Sequence, residues 1–185
     1  MATAQAVLTL DHFLSMPDSE ADGTHYELSE GELITLAAPG FRHGAIMMNV
    51  GYLLRAALDH KQYIVVCGDT GFILKSDATS ATIRGADVAV CTRESMGANV
   101  PIGRSPQPPL LAVEVISPSN TAVDLDLKVK QYLSAGTQEV WLLFPDTRRL
   151  YVYLNTPRST KVFEENESFE SILGTQFQVD QLFEV

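Results

Sequence analysis

One carboxylate constrains this chain more than any other residue. Glu114 stands in the middle of the run Leu110-Leu111-Ala112-Val113-Glu114-Val115-Ile116, with Pro108-Pro109 before it and Ser117-Pro118 after it. A short apolar run fenced by prolines predicts a strand covered on both faces. Such a strand rarely holds an ionised carboxylate without a partner, because removing the charge from water is costly. The fold must therefore bring a cation, a metal, a hydrogen-bond network or a water-filled cleft to Glu114.

A chain of 185 residues suits one domain with its own core, residues 1–185. No stretch approaches the roughly 20 apolar residues of a membrane span. Residues 1–6 lack the basic flank of a secretory signal, so a cytoplasmic location is expected. Cys67 and Cys91 form no C-x-x-C pair and are read as buried, reduced thiols. The four histidines have no metal-ligand spacing, so a structural zinc is not expected. A net charge of −10 argues against a role in coating duplex DNA, which relies on Lys and Arg neutralising phosphates. It leaves room for a local basic groove, and Arg148, Arg149, Arg158 and Lys161 form either such a patch or a solvated hairpin edge.

Apolar spacing and turn residues give the order of elements. A short helix is predicted from Leu10 to Met16, then a hairpin in which Tyr26-Glu27-Leu28 and Glu32-Leu33-Ile34-Thr35-Leu36 flank Ser29-Glu30-Gly31. Ile46, Val50, Leu53, Leu54 and Leu58 fall near a 3.6-residue period, predicting a helix from His43 to His60. Two β-rich pieces, Tyr63 to Cys67 and Gly71 to Lys75, precede a strand at Ala86 to Val90 and a long loop from residue 94 to 109. After the Glu114 strand, Ser117-Pro118-Ser119-Asn120 signals a helix start, and Leu125, Val129, Tyr132 and Leu133 form a stripe closed by Gly136. Strands follow at Glu139 to Phe144 and Leu150 to Leu154, and residues 158–169 read as a further hairpin. The class is α/β, a mixed sheet flanked by helices.

Asp87 opens one strand, Glu114 lies inside the next, and Lys128 stands beside the apolar stripe of the following helix. Two carboxylates on adjacent strands under an ammonium suit a hard divalent cation such as magnesium, which needs few protein oxygens and keeps its waters. The metal would acidify a bound water and shield a phosphate, while lysine orients the attacking water.

Tyr26-Glu27-Leu28 with Gly31-Glu32-Leu33, His43-Gly44, Gly71-Phe72, Ala86-Asp87-Val88, Val113-Glu114-Val115-Ile116-Ser117-Pro118-Ser119, Lys128 with Tyr132-Leu133 and Gly136, and Val140-Trp141 form an ordered set. From about Leu10 to the C-terminus it resembles the Uma-type putative restriction endonucleases, a branch of the PD-(D/E)xK nuclease superfamily. The resemblance implies a restriction-endonuclease-like mixed sheet with additional β-hairpins. It implies a magnesium-dependent endonuclease, with manganese as a substitute, acting on nucleic acid and foremost DNA. By the same resemblance Asp87, Glu114 and Lys128 are catalytic, and Asp87, Glu114 and the Val115 carbonyl hold the metal. Glu32 and His43 match accessory positions. Two departures stand out: Ala86 replaces a usual proline, and Ile116 stands where the superfamily places its lysine.

Each residue also has a plainer reading. Glu114 fits a buried pair with Lys or Arg, Asp87 a strand start, and Lys128 an exposed pair with Asp124 one turn back. Glu32 fits a solvated hairpin and His43 a helix terminus. The alternative function is a binding or assembly protein that keeps a nuclease fold without useful catalysis, with exposed strand edges joining a homodimer. A hydrolase of smaller phosphorylated substrates is the third reading.

Overall fold

The computed structural model describes residues 7–17, 19–21, 23–97 and 99–185. Residues 1–6, read above for a leader, lie outside them. The elements run α1 (Leu10–Ser15), β1 (His25–Ser29), β2 (Glu32–Leu36), α2 (Phe41–Ala57), β3 (Tyr63–Lys75), β4 (Thr82–Thr92), α3 (Arg93–Met96), β5 (Leu111–Val115), α4 (Ala122–Ala135), β6 (Glu139–Phe144), β7 (Arg149–Leu154), β8 (Ser159–Phe163), β9 (Ser168–Glu170), β10 (Gln176–Gln178) and α5 (Val179–Leu182). Eight strands form one sheet in the order β2-β1-β4-β5-β6-β7-β8, with β3 also on β4; β9 and β10 pair separately. Among the described strands β5 and β6 alone pair in parallel, and α4 is the crossover between them. Glu114 and Lys128 thus belong to one strand-helix-strand unit, which docks the helix over the strand that precedes it.

Helix α2 covers one face of the sheet through Ile46, Val50 and Leu54, packed with Val88, Val113 and Trp141. On the other face, Val129, Tyr132 and Leu133 of α4 meet Ala89, Ala112 and Leu142. Both helical stripes match the sequence spacing. Gly51 lets α2 approach closely, for a Cβ there would fall 2.4 Å from the Cys67 sulfur. Thr121 caps α4 by accepting from the Asp124 N–H, and Gly136 closes it in the left-handed region at φ 112°. The Glu30-Gly31 turn, both residues at positive φ, joins β1 to β2 as a two-residue hairpin.

Several expectations are corrected. The two β-rich pieces form one strand, β3, whose register against β4 slips between Cys67 and Thr70. The hairpin predicted for residues 158–169 does not close on itself: β8 pairs with β7, and β9 pairs with β10. Cys91 is buried, but Cys67 is exposed, and both are free. The loop after α3 is stitched to β3, where Ser105 exchanges backbone hydrogen bonds with Gly71 and Ile73. Among the described residues no helix is long and apolar enough to cross a membrane. Arg148 and Arg149 pair with Glu165 and Glu164, which makes that edge a set of neutralised pairs.

Candidate active site

Strand β4 is buried along ten consecutive residues, Thr82 to Cys91, Arg84 and Asp87 among them. One of its edges is filled by β3. The other is shared: β1 meets it at Ile83, and β5 meets it from Val88 to Val90. Between those contacts the β4 backbone needs other partners, and side chains supply them. The Gly85 N–H donates to Glu27 Oε1 at 2.7 Å, and its carbonyl accepts from the Tyr132 hydroxyl at 2.9 Å. On the β5 side of the gap, the Val115 N–H donates to Asp87 Oδ2 at 2.6 Å. Among the described residues, the buried charges other than Glu139 collect at this break in the ladder.

Glu114 and Lys128 meet as the sequence pattern requires. The Lys128 ammonium lies 2.8 Å from Glu114 Oε2 and 3.1 Å from Glu27 Oε1. The exposed pairing with Asp124 is not formed; Asp124 instead accepts from the Thr121 hydroxyl at the start of α4. Glu114 is 7% exposed, and its Oε1 is buried without a hydrogen-bond partner. Burial, with the Asp87 and Glu27 charges adding to it, pushes the Glu114 carboxyl up to about 8 against the pull of Lys128. Burial lowers Lys128, but Glu114, Glu27 and Asp87 outweigh it and hold the ammonium charged.

Asp87 is 4% exposed and is held ionised below its usual range: burial raises it, and His43, Lys128 and the Val115 N–H more than offset this. His43 Nε2 stands 3.2 Å from Asp87 Oδ2, and that contact raises the imidazole pKa despite burial. The same ring also faces the Val115 carbonyl. His43 therefore occupies the neighbourhood of two atoms that the resemblance gives to a metal.

Glu32 is not brought to this cluster. It lies on edge strand β2 opposite Ser29, on the face that Glu27 shares, but one pair further out and exposed. Glu27 takes the acidic place on the hairpin. Arg84 donates to its Oε2 at 2.8 Å and also reaches Ser29 and Gln131, so Glu27 is satisfied on both oxygens. Burial raises the Glu27 carboxyl, but Lys128, Arg84 and the Gly85 N–H bring it below its usual value. Glu27, Arg84 and Asp69 were missed as site residues. Glu27 and Arg84 carry the signal that marked Glu114, a charge within a strand; Asp69 sits between two apparent strands and carries none.

A cleft of about 290 Å³ opens on the β1 side, lined by His25, Glu27, Asp69, Gly85 and Arg104 among others. A second, of about 370 Å³, reaches His43, Val115 and Ser117 from the start of α2. The charged cluster lies between them. Its donors are mostly hard carboxylate and carbonyl oxygens, and the unsatisfied Glu114 Oε1 beside the charge of Asp87 suits a divalent cation. Among the described residues, no three His, Cys, Asp or Glu side chains converge as a ready ligand set. A cation here would therefore lean on two carboxylates, a carbonyl and water.

The model of the family Uma2, described as putative restriction endonuclease, matches residues 10–181. No curated protein matches the chain. Among solved structures, a putative nuclease belonging to DUF820 from Anabaena variabilis ATCC 29413 is similar, with a TM-score of 0.80 and 20% identity over 95% of this chain and 97% of that chain. At that identity the likeness carries the fold, a large mixed sheet flanked by helices. The family match runs from the start of α1 into α5 and takes in every side chain of the cluster. The chain belongs to the Uma2 family of putative restriction endonucleases.

Proposed function

We propose that the chain is a magnesium-dependent endonuclease that hydrolyses phosphodiester bonds in nucleic acid, with DNA as the first substrate. The observation that carries this reading is the environment of Glu114. A carboxylate buried with one oxygen on Lys128 and the other unsatisfied, beside the second carboxylate of Asp87, is arranged to receive a cation. Asp87 and Glu114 would hold the ion, with the Val115 carbonyl, and His43 would turn aside or join the ligands. Bound there, magnesium supplies a water of lowered pKa and a charge against the phosphate oxygens. Lys128, fixed between Glu114 and Glu27, would be the group that orients an attacking water toward phosphorus. Glu27 is a positioning residue for the ammonium.

Selectivity is assigned to the loop after α3. Ile102, Gly103 and Arg104 line the cleft beside Glu27 and Asp69, so a strand of nucleic acid lying there meets the loop before the carboxylates. Strand β8 closes one end of the sheet, and it is the edge on which a second copy would add to form a homodimer.

The second reading is a binding or assembly protein that retains the fold. The position of His43 against both Asp87 and the Val115 carbonyl favours it, because a neutralised site needs no metal. Calorimetric titration of manganese into wild type and Glu114→Ala, followed by incubation with circular single- and double-stranded DNA, separates the two. The nuclease reading expects binding and nicking by wild type, both lost in a folded variant. Absence of manganese binding and of cleavage in wild type overturns it in favour of the assembly protein.

A further inference from the structure

We propose that the outward face of α2 is a track for an unpaired nucleic-acid strand, with Phe41 and Tyr52 as stacking platforms for its bases; this rests on the nucleic-acid reading above. Helix α2 is apolar on two sides. Ile46, Val50 and Leu54 face the sheet and are buried. Phe41, Met48 and Tyr52 lie on the opposite side and are 94%, 67% and 64% exposed. Met48 and Tyr52 follow Phe41 by seven and eleven residues, close to two and three helical turns, so the three form one stripe. A single exposed apolar side chain is ordinary, but three large ones in line make a surface.

The stripe begins at the site. Phe41, with Arg42 and His43, lines the cleft of about 370 Å³ that reaches Val115 and Ser117, and His43 stands 3.2 Å from Asp87. From Phe41 to Tyr52 the helix rises about 16 Å, room for about four or five nucleotides at a stacked rise of about 3.4 Å. Its charge suits the same occupant. The chain has a net charge of −10, yet Phe41–Ala57 holds no Asp or Glu, and its charged side chains are Arg42, Arg55 and the titratable His43. On its flanks Asp146 is taken up by Arg42, and the Asp180 carboxyl of α5 accepts the Gln181 N–H. Duplex DNA closes its base faces by pairing and stacking, and it is held chiefly through cations, of which this chain has few. An unpaired strand offers those faces, and stacking on an aromatic ring asks for little charge. The acidic composition and the exposed rings therefore point to one substrate class: single strands, or duplexes with an unpaired segment.

The rings are exposed, so they can be changed without disturbing the core. Fluorescence anisotropy of a labelled single strand of about 12 nucleotides, and of the duplex of the same sequence, is measured with the full chain in calcium rather than magnesium. Wild type, Phe41→Ala, Tyr52→Ala and Phe41→Trp are compared, with melting temperature as the check on folding. The expected result is tighter binding of the single strand, weakened roughly 5- to 100-fold in either alanine variant at unchanged melting temperature and retained in Phe41→Trp. Emission of Phe41→Trp should be quenched by the strand, a change that the fully buried Trp141 of wild type does not supply. Single-strand affinity unchanged in both alanine variants, or lost equally for strand and duplex, overturns the track, while nicking of DNA by the same variants keeps the endonuclease reading. A concentration-dependent dimer in sedimentation that Met48→Glu dissolves, with strand binding unchanged, gives the face to a second copy and overturns the track as well. Strand binding and quenching without cleavage in magnesium or manganese leaves the track standing and overturns the endonuclease. No binding of either oligonucleotide by wild type overturns both.

Discussion

Glu114 on β5 and Glu139 on β6 lie in adjacent parallel strands, where Glu114 registers with Leu142 and Glu139 with Leu111. Both are buried, Glu139 completely, and each leaves one oxygen without a hydrogen bond. Their surroundings differ. Glu139 Oε2 accepts from the Ser171 hydroxyl and, at 3.2 Å, from the Ile172 N–H, while the Trp141 indole lies beside the carboxyl without a formed bond. These are neutral donors, and they tie the turn between β9 and β10 to the main sheet. Glu114 instead has an ammonium on one side and the charge of a second carboxylate on the other. Burial alone therefore does not mark a site. A buried acid held by neutral donors is a fastener, and a buried acid among competing charges is a place for chemistry.

The comparison breaks most visibly at Lys128. Lys128→Met leaves Glu27 and Glu114 without their ammonium, and a loss of about 3–5 kcal/mol is expected in urea unfolding. Cleavage should fall by roughly 10²- to 10⁴-fold. Adding Glu114→Gln to that variant should recover part of the stability and none of the activity; if both return, Lys128 is only structural. On the Glu139 side, Ser171→Ala should cost about 1–3 kcal/mol, the value of a hydrogen bond to a charged or buried acceptor, with manganese affinity and cleavage unchanged. Any loss of metal binding there would erase the distinction between the two acids.

A smaller effect distinguishes Glu139 by pH. Burial raises its carboxyl above the ordinary value, against the hydrogen bonds from Ser171 and Ile172. The folded chain thus keeps a proton that the unfolded chain releases near about pH 4.3. This contribution to stability is complete below the unfolded value and is lost as pH rises through the folded one. Unfolding free energies of wild type and Glu139→Gln should accordingly diverge in the variant's favour as pH rises from about 4 through the raised folded value. The single tryptophan, Trp141, should report the same titration in its emission, and the variant should abolish it. A difference in stability that is flat with pH would show that Glu139 does not titrate in this range.

The smallest effect on stability belongs to the loop. Replacing residues 99–103 with Gly and Ser, leaving Ser105 to hold β3, should change stability by no more than about 0.5 kcal/mol. Manganese affinity should not move, while preference among DNA substrates should. An unchanged preference would remove the loop from the recognition surface.

Much of this was legible in the sequence, and the reasons are local. The β5-α4-β6 unit announced itself through prolines, a cap and a helical period; Glu114 and Lys128 converge because that unit leaves them little choice, and Asp87 joins them from β4, which pairs with β5. The slip in β3 was hidden because Gly68-Asp69 reads as a turn between two short strands, whereas β4 continues unbroken beneath it. Cys67, at the edge of that kink, is exposed for the same reason. Glu32 rests on the resemblance alone, and the structure leaves it exposed on edge strand β2 while Glu27 reaches the gap. The β8 and β9 partners depend on contacts distant in sequence, which no local turn signal encodes.

The interrupted edge of β4 has a consequence for how such chains change over time. Glu27, Asp87 and Tyr132 close the gap in the ladder by binding its backbone, so they are needed to assemble the sheet whether or not a reaction takes place there. A descendant that abandoned catalysis would not be free to discard them. Their persistence in a distant sequence would record a fold that still needs mending at this seam, whereas Glu114 and Lys128, whose side chains pair with each other there, would drift first and betray a silent nuclease.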